Sequence, residues 1–363
     1  MPTVTLVRSL LLTATLLLST LISAADINIG SWNIKRLGHG GQQSFPAIAA
    51  VANKLDFISI QEVMTEAGLD KLEIAVEKES GESWSRIESH LVGSRSYKEM
   101  YSFLWRDSAV DYIDGAVVYL DRGDNFIREP FSAKFQSKRN GSFFVAATVH
   151  ILYGKGISDR TPEIKELSEY WKWLAEVYPD TPVMLMGDFN LPYSHAAWSP
   201  LKQYAKPLIT SGASTLSSKD GRYANLYDNI WVSRNTTLSI NHSGIIDYPR
   251  MIGWSHKKSR KHVSDHAPVY VSLGNARLDA SAIDVQQPGS QTTSQTPFKS
   301  IANTKLSGLS SGVIGAVRGN KNSDIYHRPD CPSYNKVAER NRIEFKSADA
   351  ATAAGYRIAG NCR

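Results

Sequence analysis

The stretch PVMLMGDFN, residues 182–190, carries the pattern that decides the fold. Its first residues, Pro182 to Met186, are apolar and predict one short buried strand. A carboxylate and an amide, Asp188 and Asn190, follow directly after that strand. Because strand ends are where a rigid sheet displays reactive side chains, the stretch predicts a strand that delivers oxygen ligands to a site.

Short apolar strands of this kind recur between helical segments from residue 26 to residue 273. Beside Pro182–Met186, strands are predicted at Asp26–Trp32, Phe57–Gln61, Ala116–Leu120, Phe143–His150, Asn229–Val232 and Pro268–Leu273. Helices are predicted over Phe45–Lys54 and Thr161–Tyr178, the second with Thr161 as N-cap and Pro162 at its first position. Many short strands with intervening helices indicate an α/β (α+β) class of stacked sheets covered by helices.

Further polar side chains stand at the ends of these strands: Asn33, Glu62, His150, Asp228, Asp265 and His266. Phosphodiester hydrolysis needs such a set. A hard cation such as Mg²⁺ binds carboxylate and amide oxygens and neutralises charge on the phosphate. Histidine serves as general acid or base near neutral pH, and a carboxylate improves each histidine by orienting it.

Each of these residues also has a simpler interpretation. An isolated Asp or Asn is most often a turn former, and an isolated His at a strand end is most often a surface polar residue. Glu62 alone is equally compatible with a helix cap. Their occurrence together, in one order along the chain, favours the catalytic interpretation.

The chain resembles the endonuclease/exonuclease/phosphatase superfamily from about residue 27 to residue 273. Four segments match the superfamily's motifs: Ser31–Ile34, Gln61–Val63, Gly187–Asn190 and Ser264–Val269. Two others, Ser96–Arg106 and Ile127–Pro130, are similar to segments of the deoxyribonuclease I branch that carry DNA-contacting and catalytic residues. The resemblance implies a four-layer sandwich of two mixed β-sheets flanked by helices.

The resemblance also implies residue roles. His150 and His266 would flank the scissile phosphate, with Glu99 orienting His150 and Asp228 orienting His266. The metal would be bound mainly by Glu62, with help from a further set: Asn33, Asp188, Asn190 and Asp265. Tyr97 and Arg128 would contact sugar and phosphate in the minor groove. Which histidine is the acid and which the base stays open.

Three departures from the family pattern stand out. The branch has an Arg two residues after the metal-binding Glu, where this chain has Met64. The catalytic region lacks the family's disulfides, because both cysteines, Cys331 and Cys362, lie near the C-terminus. The paired structural calcium sites of the family are not readable in this sequence.

The charge balance points to a polyanionic partner. The formal net charge is +6, and the sequence pI is about 9.1. A basic run, residues 256–262, lies directly before Asp265. Its cations, Lys257, Lys258, Arg260 and Lys261, are predicted to contact phosphates beside the site, and the alternative is a solvated loop.

Composition divides the chain into four parts. Residues 1–25 combine Arg8, an apolar run and small residues, which predicts a signal peptide and a secreted or periplasmic protein with no membrane association after cleavage. Residues 26–274 form the predicted catalytic domain. Residues 275–317 are polar and poor in bulky apolar groups, which predicts a flexible linker. Residues 318–363 are predicted to form a small α+β module.

The C-terminal module resembles the small cysteine-based zinc module of the Ada DNA-repair protein. Three candidate ligands are present, His327, Cys331 and Cys362, where the Ada pattern needs four cysteines. An oxidising compartment therefore favours a Cys331–Cys362 disulfide over a Zn²⁺ site. The module is interpreted either as a stabilising tail or as an aid to holding DNA.

These observations predict a metal-dependent endonuclease that hydrolyses DNA with low sequence specificity. Mg²⁺ is the expected cofactor, with Mn²⁺ or Ca²⁺ as alternatives, and a monomer is expected. Cleavage of RNA stays open. Two other functions compete: a phosphoesterase of the same fold, acting on sphingomyelin or phosphoinositides, and a non-catalytic extracellular DNA-binding protein.

Overall fold

Two β-sheets face each other across an aromatic core in residues 26–278, which we call the main body. The computed structural model describes residues 26–219, 221–278, 317–321, 325–329, 331, 334, 337, 339–359 and 362. The predicted signal peptide and residues 279–316 of the predicted linker lie outside the described residues. Within the described part of the chain, no helix is long and apolar enough to span a membrane.

The strands and helices of the main body alternate along the chain. The strands are β1 Asn28–Leu37, β2 Phe57–Val63, β3 Trp84–Glu88, β4 Val92–Gly93, β5 Lys98–Arg106, β6 Val110–Val118, β7 Phe131–Ser137, β8 Phe143–His150, β9 Val183–Asp188, β10 Ala205–Pro207, β11 Asp228–Ser233, β12 Ile240–Ile245 and β13 Val269–Leu273. The helices are α1 Phe45–Ala52, α2 Glu66–Ser80, α3 Ile157–Val177, α4 Tyr248–Met251 and α5 His256–His262.

Both sheets are mixed. Among the described residues, the first sheet has the order β12-β13-β1-β2-β5-β3, with β4 paired to β5, and the second has the order β10-β11-β9-β8-β7-β6. In the first sheet β1 runs parallel to β2 and antiparallel to β13. In the second, β8 runs parallel to β9, and β11 lies antiparallel to β9. The mixed sheets and flanking helices confirm the predicted sandwich.

Alternating side chains of β8 pack in opposite directions. Val145, Ala147 and Val149 pack against α3, whereas Phe144 and Ala146 join the core between the sheets. Aromatic side chains fill that core. The ring centroid of Phe57 from the first sheet lies 4.8 Å from the ring centroid of Phe135 and 5.4 Å from that of Phe144, both of the second sheet. Helices α1 and α2 cover the outer face of the first sheet, which completes four layers.

The boundaries of β1 and α3 differ from the predictions. Strand β1 continues to Leu37 through a register shift, so Asn33 lies inside the strand and not after it. Helix α3 begins at Ile157 with Gly156 as its N-cap, so Thr161 is not a cap and Pro162 lies within the helix. The hydroxyl of Thr161 instead donates to the Ile157 carbonyl at 3.0 Å.

The C-terminal module comprises the described residues from 317 to 362. Its strands are β14 Val317–Asn320, β15 Ile325–His327, β16 Arg342–Phe345 and β17 Arg357–Ile358, and its helix is α6 Ala348–Ala353. The four strands pair in the order β16-β14-β15-β17. Cys331 and Cys362 form a disulfide, with their Cα atoms 4.6 Å apart.

Candidate active site

A cavity of about 750 Å³ opens at one edge of the two sheets. Its lining includes two histidines, His150 and His266, and three of the carboxylates singled out in the sequence: Glu62, Asp188 and Asp265. These side chains come from both sheets and from the loop before β13. The structure therefore brings together residues that are more than two hundred positions apart in the chain.

His150, at the end of β8, is held by Glu99 of β5. Its Nδ1 lies 2.9 Å from Oε1 and 3.1 Å from Oε2 of that fully buried carboxylate. Burial alone would raise the pKa of Glu99, but the charges of His150 and Arg128 hold it below its usual range. Since an ionised carboxylate only accepts hydrogen bonds, Nδ1 carries a proton and Nε2 is directed away from Glu99.

His266, just before β13, is held in the same way by Asp228, the first residue of β11. Its Nδ1 lies 2.8 Å from Oδ2 of Asp228, which is fully buried. Burial opposes protonation of His266, yet the charges of Asp228 and Asp188 raise its pKa well above the ordinary value. The two histidine–carboxylate contacts implied by the resemblance are thus both present as hydrogen-bonded pairs.

Asp188 lies between the two histidines. Its Oδ2 is 3.5 Å from Nε2 of His150 and 3.6 Å from Nε2 of His266. Burial would raise the pKa of Asp188, but the two histidine charges lower it below its usual value. The two ring nitrogens that are free to exchange protons therefore face one common point.

Glu62, Asn33 and Asp188 form one hydrogen-bonded chain. The Asn33 amide donates to Oε1 of Glu62 at 2.9 Å and to Oδ2 of Asp188 at 3.1 Å. The backbone N–H of Asn190 donates to Oδ1 of Asp188 at 2.9 Å. Carboxylate oxygens in this arrangement are hard ligands that suit Mg²⁺, Mn²⁺ or Ca²⁺.

Asp265 lies among cations. Its Oδ2 is 3.6 Å from the Lys35 ammonium and 3.0 Å from the Arg260 guanidinium.

One carboxylate oxygen of the site, Oδ1 of Asp228, is buried and has no hydrogen-bond partner among the described residues. Asp188, Asp228 and His266 also offer ligand atoms within 4.8 Å of one another. A buried carboxylate oxygen without a partner is compatible with a bound cation.

Three of the six non-glycine residues with positive φ in the described part of the chain lie at the cavity. Arg36, Glu62 and Asn190 have φ values of 52°, 60° and 51°, a region that non-glycine residues rarely adopt. All three line the cavity. The backbone N–H of Arg36 donates to Oε2 of Glu62 at 3.0 Å, which helps to hold the strained turn. Strain of this kind persists where the surrounding structure fixes the geometry of a functional site.

Comparisons with known proteins agree with this geometry. No protein-family model matches the chain. A deoxyribonuclease of Thioalkalivibrio sp. (strain K90mix) is 46% identical over 283 residues, which are 75% of this chain and 78% of that protein. The chain belongs to the deoxyribonuclease I-like family.

Two further comparisons extend the match. Deoxyribonuclease-1 of Oryctolagus cuniculus is 28% identical over 293 residues, covering 73% of this chain and 99% of that protein. A solved endonuclease/exonuclease/phosphatase family protein of Bacteroides thetaiotaomicron superposes with a TM-score of 0.51 at 18% identity, covering 68% of this chain and 97% of that chain. The second likeness shows the fold alone.

In this deoxyribonuclease I-like chain, Tyr97 and Arg128 both line the cavity. Arg128 is 6% exposed, and its Nε donates to the His150 carbonyl at 2.8 Å and lies 3.8 Å from Oε2 of Glu99. The Tyr97 hydroxyl lies 3.8 Å from the Met64 sulfur. Arg128 therefore supports the first histidine pair as well as facing the cavity.

The basic run forms helix α5, so the loop interpretation is wrong. Ser255 caps the helix by accepting from the Lys258 N–H at 3.3 Å. Arg260 lines the cavity, whereas Lys257, Lys258 and Lys261 are exposed and lie outside its lining. The Lys258 ammonium rests 3.7 Å from the Trp254 ring centroid. The helical spacing turns one cation of the run inward and leaves the other three on the surface.

Two buried residues that contact the backbone around the first histidine pair, Glu163 and Tyr101, were not predicted from the sequence. Glu163 of α3 is buried and accepts the backbone N–H groups of Ile127 at 3.2 Å and Leu152 at 3.0 Å. These groups flank Arg128 and His150. The Tyr101 hydroxyl accepts the His150 N–H at 3.0 Å. Both contacts join distant segments, and the only signal in the sequence was a Glu on the buried face of a helix.

The C-terminal group of His327, Cys331 and Cys362 offers ligand atoms within 4.8 Å of one another. Because both sulfurs share a disulfide, neither is the thiolate that Zn²⁺ requires. Burial lowers the pKa of His327 below its ordinary value. The likeness of this module to the Ada module stays a prediction.

Proposed function

We propose that this protein is an exported, divalent-metal-dependent endonuclease that hydrolyses phosphodiester bonds in DNA with low sequence specificity. The observation that carries the proposal is the convergence of His150 and His266, each held by its own carboxylate, on Asp188 at 3.5 and 3.6 Å. Relatives that are identical to this chain at 46% or 28% of the aligned residues are named deoxyribonucleases.

The reaction needs one proton removed and one supplied. One histidine Nε2 takes a proton from the attacking water as its oxygen bonds to phosphorus. The other Nε2 gives a proton to the leaving oxygen as the bond between that oxygen and phosphorus breaks. Glu99 and Asp228 fix each ring so that Nε2 faces the phosphate, and they stabilise the charged imidazolium form.

The oxygen donors of the cavity suit a hard divalent ion. Glu62, Asp188 and Asp265 would hold it, with Asn33 and Asn190 as amide neighbours. When bound, the ion neutralises charge on the phosphate and stabilises the charge that develops in the transition state. Lys35 and Arg260, both beside Asp265, supply positive charge for the same phosphate backbone.

The cavity lining supports DNA as substrate with little sequence reading. Its cations are Lys35, Arg36, Arg128, Lys219, Arg260 and Arg357. Contacts of Lys and Arg with phosphates give affinity and register but carry no direct sequence information. We propose RNA as a weaker substrate at most, since the named relatives are deoxyribonucleases.

The test is nicking of supercoiled plasmid by residues 26–363, with Mg²⁺, with Mn²⁺ and with EDTA. We expect nicking that needs the metal and that His150→Ala loses. A folded wild-type protein that leaves the plasmid intact but hydrolyses sphingomyelin or a phosphoinositide would replace this proposal with the lipid phosphoesterase function. Sequencing the N-terminus of protein recovered from periplasm or medium tests export, and a start near Asp26 is expected.

A further inference from the structure

The C-terminal module contributes a side chain to the wall of the active-site cavity. Its edge strand β17 pairs with β15, Arg357 opposite Ile325 and Ile358 opposite Tyr326. Arg357 is exposed and lines the same cavity as His150, Asp188 and His266. The cavity is therefore built from two parts of the chain that the sequence separates by a polar stretch.

The module is seated closely against the main body. Gly355 has φ +83°, and a Cβ added there would lie 2.7 Å from Cδ1 of Ile157 and 3.8 Å from Cδ1 of Leu191. Ile157 also packs against the module's own core, which includes Tyr326 and Tyr356. Glycine thus permits a close approach to the start of α3 and to the residue that follows Asn190, and this places β17 at the rim of the cavity.

The wall beside Arg357 is held firmly. The buried Arg160 donates from Nε to the Tyr153 carbonyl at 2.8 Å and from Nη1 to the Asn190 carbonyl at 2.7 Å. Its guanidinium also lies 4.1 Å from the centre of the Tyr153 ring, which is half exposed to the cavity. Burial raises the pKa of Tyr227, and the nearby charges of Arg160 and Arg357 oppose that rise.

We infer that the C-terminal module is part of the DNA-binding surface, and that Arg357 holds a backbone phosphate next to the one being cleaved. The guanidinium fork matches phosphate oxygens, and a neighbouring tyrosine ring such as Tyr153 packs against a sugar or base without reading sequence. This inference rests on the proposed DNA substrate. It makes the module a holder of substrate, with the proton transfers left to the main body.

The experiment compares Arg357→Ala, Arg357→Lys and Lys346→Ala in the full chain. Lys346 is the matched control, an exposed cation of the same module that is outside the cavity lining. Fluorescence anisotropy with a short labelled duplex in EDTA gives Kd over a range of KCl concentrations, and plasmid nicking gives KM and kcat. Melting temperatures check that each variant is folded.

We expect Arg357→Ala to raise Kd about 3- to 10-fold and to reduce the slope of log Kd against log salt by about one. Arg357→Lys should keep most of that slope, and Lys346→Ala should match the wild type. Equal Kd and slope for Arg357→Ala and Lys346→Ala, with a wild type that binds and nicks DNA, overturns the inference but leaves the proposed function standing. A folded wild type that neither binds nor nicks DNA overturns both.

Discussion

His150 belongs to β8 of the second sheet and is bonded to Glu99 of β5 in the first, whereas His266 precedes β13 of the first sheet and is bonded to Asp228 of β11 in the second. Each hydrogen bond crosses the gap between the sheets, in opposite directions. The two pairs place their Nε2 atoms at nearly equal distances, 3.5 and 3.6 Å, from Asp188.

The carboxylates of the two pairs have different surroundings. Oε1 of Glu99 also accepts the Glu62 N–H at 3.3 Å, and its Oε2 is 3.8 Å from Arg128. Asp228 has one oxygen on His266 and one without a partner among the described residues. Burial raises the pKa of Asp228, helped by the charge of Asp188 and opposed by His266, whereas cations keep the pKa of Glu99 low. The two histidines thus lie at similar distances from Asp188, but the carboxylates that hold them have different contacts.

Among the variants that test this comparison, those that remove either imidazole should lower kcat the most. We expect His150→Ala and His266→Ala each to lower kcat by about 10²- to 10⁴-fold, because each removes one proton transfer. We expect the kcat of the double variant to be only a little lower than that of the less active single variant, since both histidines act in one step. Single-turnover nicking measures the rates, and anisotropy in EDTA should show Kd nearly unchanged.

His242→Ala is the control for these variants, because His242 is exposed in β12 and lies outside the cavity lining. A loss of DNA binding in parallel with the loss of rate would contradict the assignment of the two histidines to proton transfer.

The amide variants of the two carboxylates should separate the pairs. In Glu99→Gln either orientation of the new NH₂ group meets a donor, from Glu62 and His150 or from Arg128 and His150. Asp228→Asn can turn its NH₂ toward the position without a partner and keep an oxygen on His266. We expect kcat to fall on the order of 10³–10⁴-fold for Glu99→Gln and about tenfold less for Asp228→Asn.

Pre-steady-state nicking of both variants, beside the wild type, measures this difference. Equal losses would mean that the extra contacts of Glu99 contribute nothing to the orientation of His150, and the contrast between the pairs would then be only structural.

Glu163→Gln should have the smallest effect of these variants, and it should affect only the pair of His150 and Glu99. In Glu163→Gln one of the two backbone donors, on Ile127 or Leu152, faces an NH₂ group. We expect a destabilisation of about 1–3 kcal/mol and a lower kcat. Urea unfolding and nicking measure both, with Glu176→Gln, an exposed residue of the same helix, as the control.

The pH dependence of stability tests whether burial raises the pKa of the Glu163 carboxyl. Burial raises the pKa of Glu163 above its ordinary value of 4.5. A group with a raised folded-state pKa contributes stability that is fully present below the unfolded pKa and is lost as pH rises through the folded-state pKa. The stability of the wild type relative to Glu163→Gln should therefore fall as pH rises above about 4.5; a constant difference would contradict the raised pKa.

Local pattern predicted those parts of the fold that depend on short apolar runs. Strand β8 was predicted with its observed bounds, because its apolar run is buried on both faces. The start of α3 was placed wrongly, since Thr161 and Pro162 imitate a helix start although the backbone is already helical from Ile157. The order of strands in each sheet is set by long-range pairing, which no local window contains.

The candidate site shows the same division. Motifs at strand ends indicated both histidines and Asp228, the family resemblance implied Glu99, and the structure brings these residues together. The approach of Lys35 to Asp265, the contacts of Glu163 and the position of Arg357 come from tertiary packing between distant segments. An isolated Lys, Glu or Arg in a sequence carries no mark of such a neighbour.

The position of the disulfide separates two kinds of chemistry in this chain. Both cysteines, Cys331 and Cys362, lie in the C-terminal module, so no disulfide contributes to the fold of the main body. Thiol-disulfide exchange with the surroundings acts only on the module, a few residues from Arg357. Under the proposed role of Arg357, we expect reduction of this disulfide to weaken DNA binding, whereas no cysteine lies among the residues that line the hydrolytic centre.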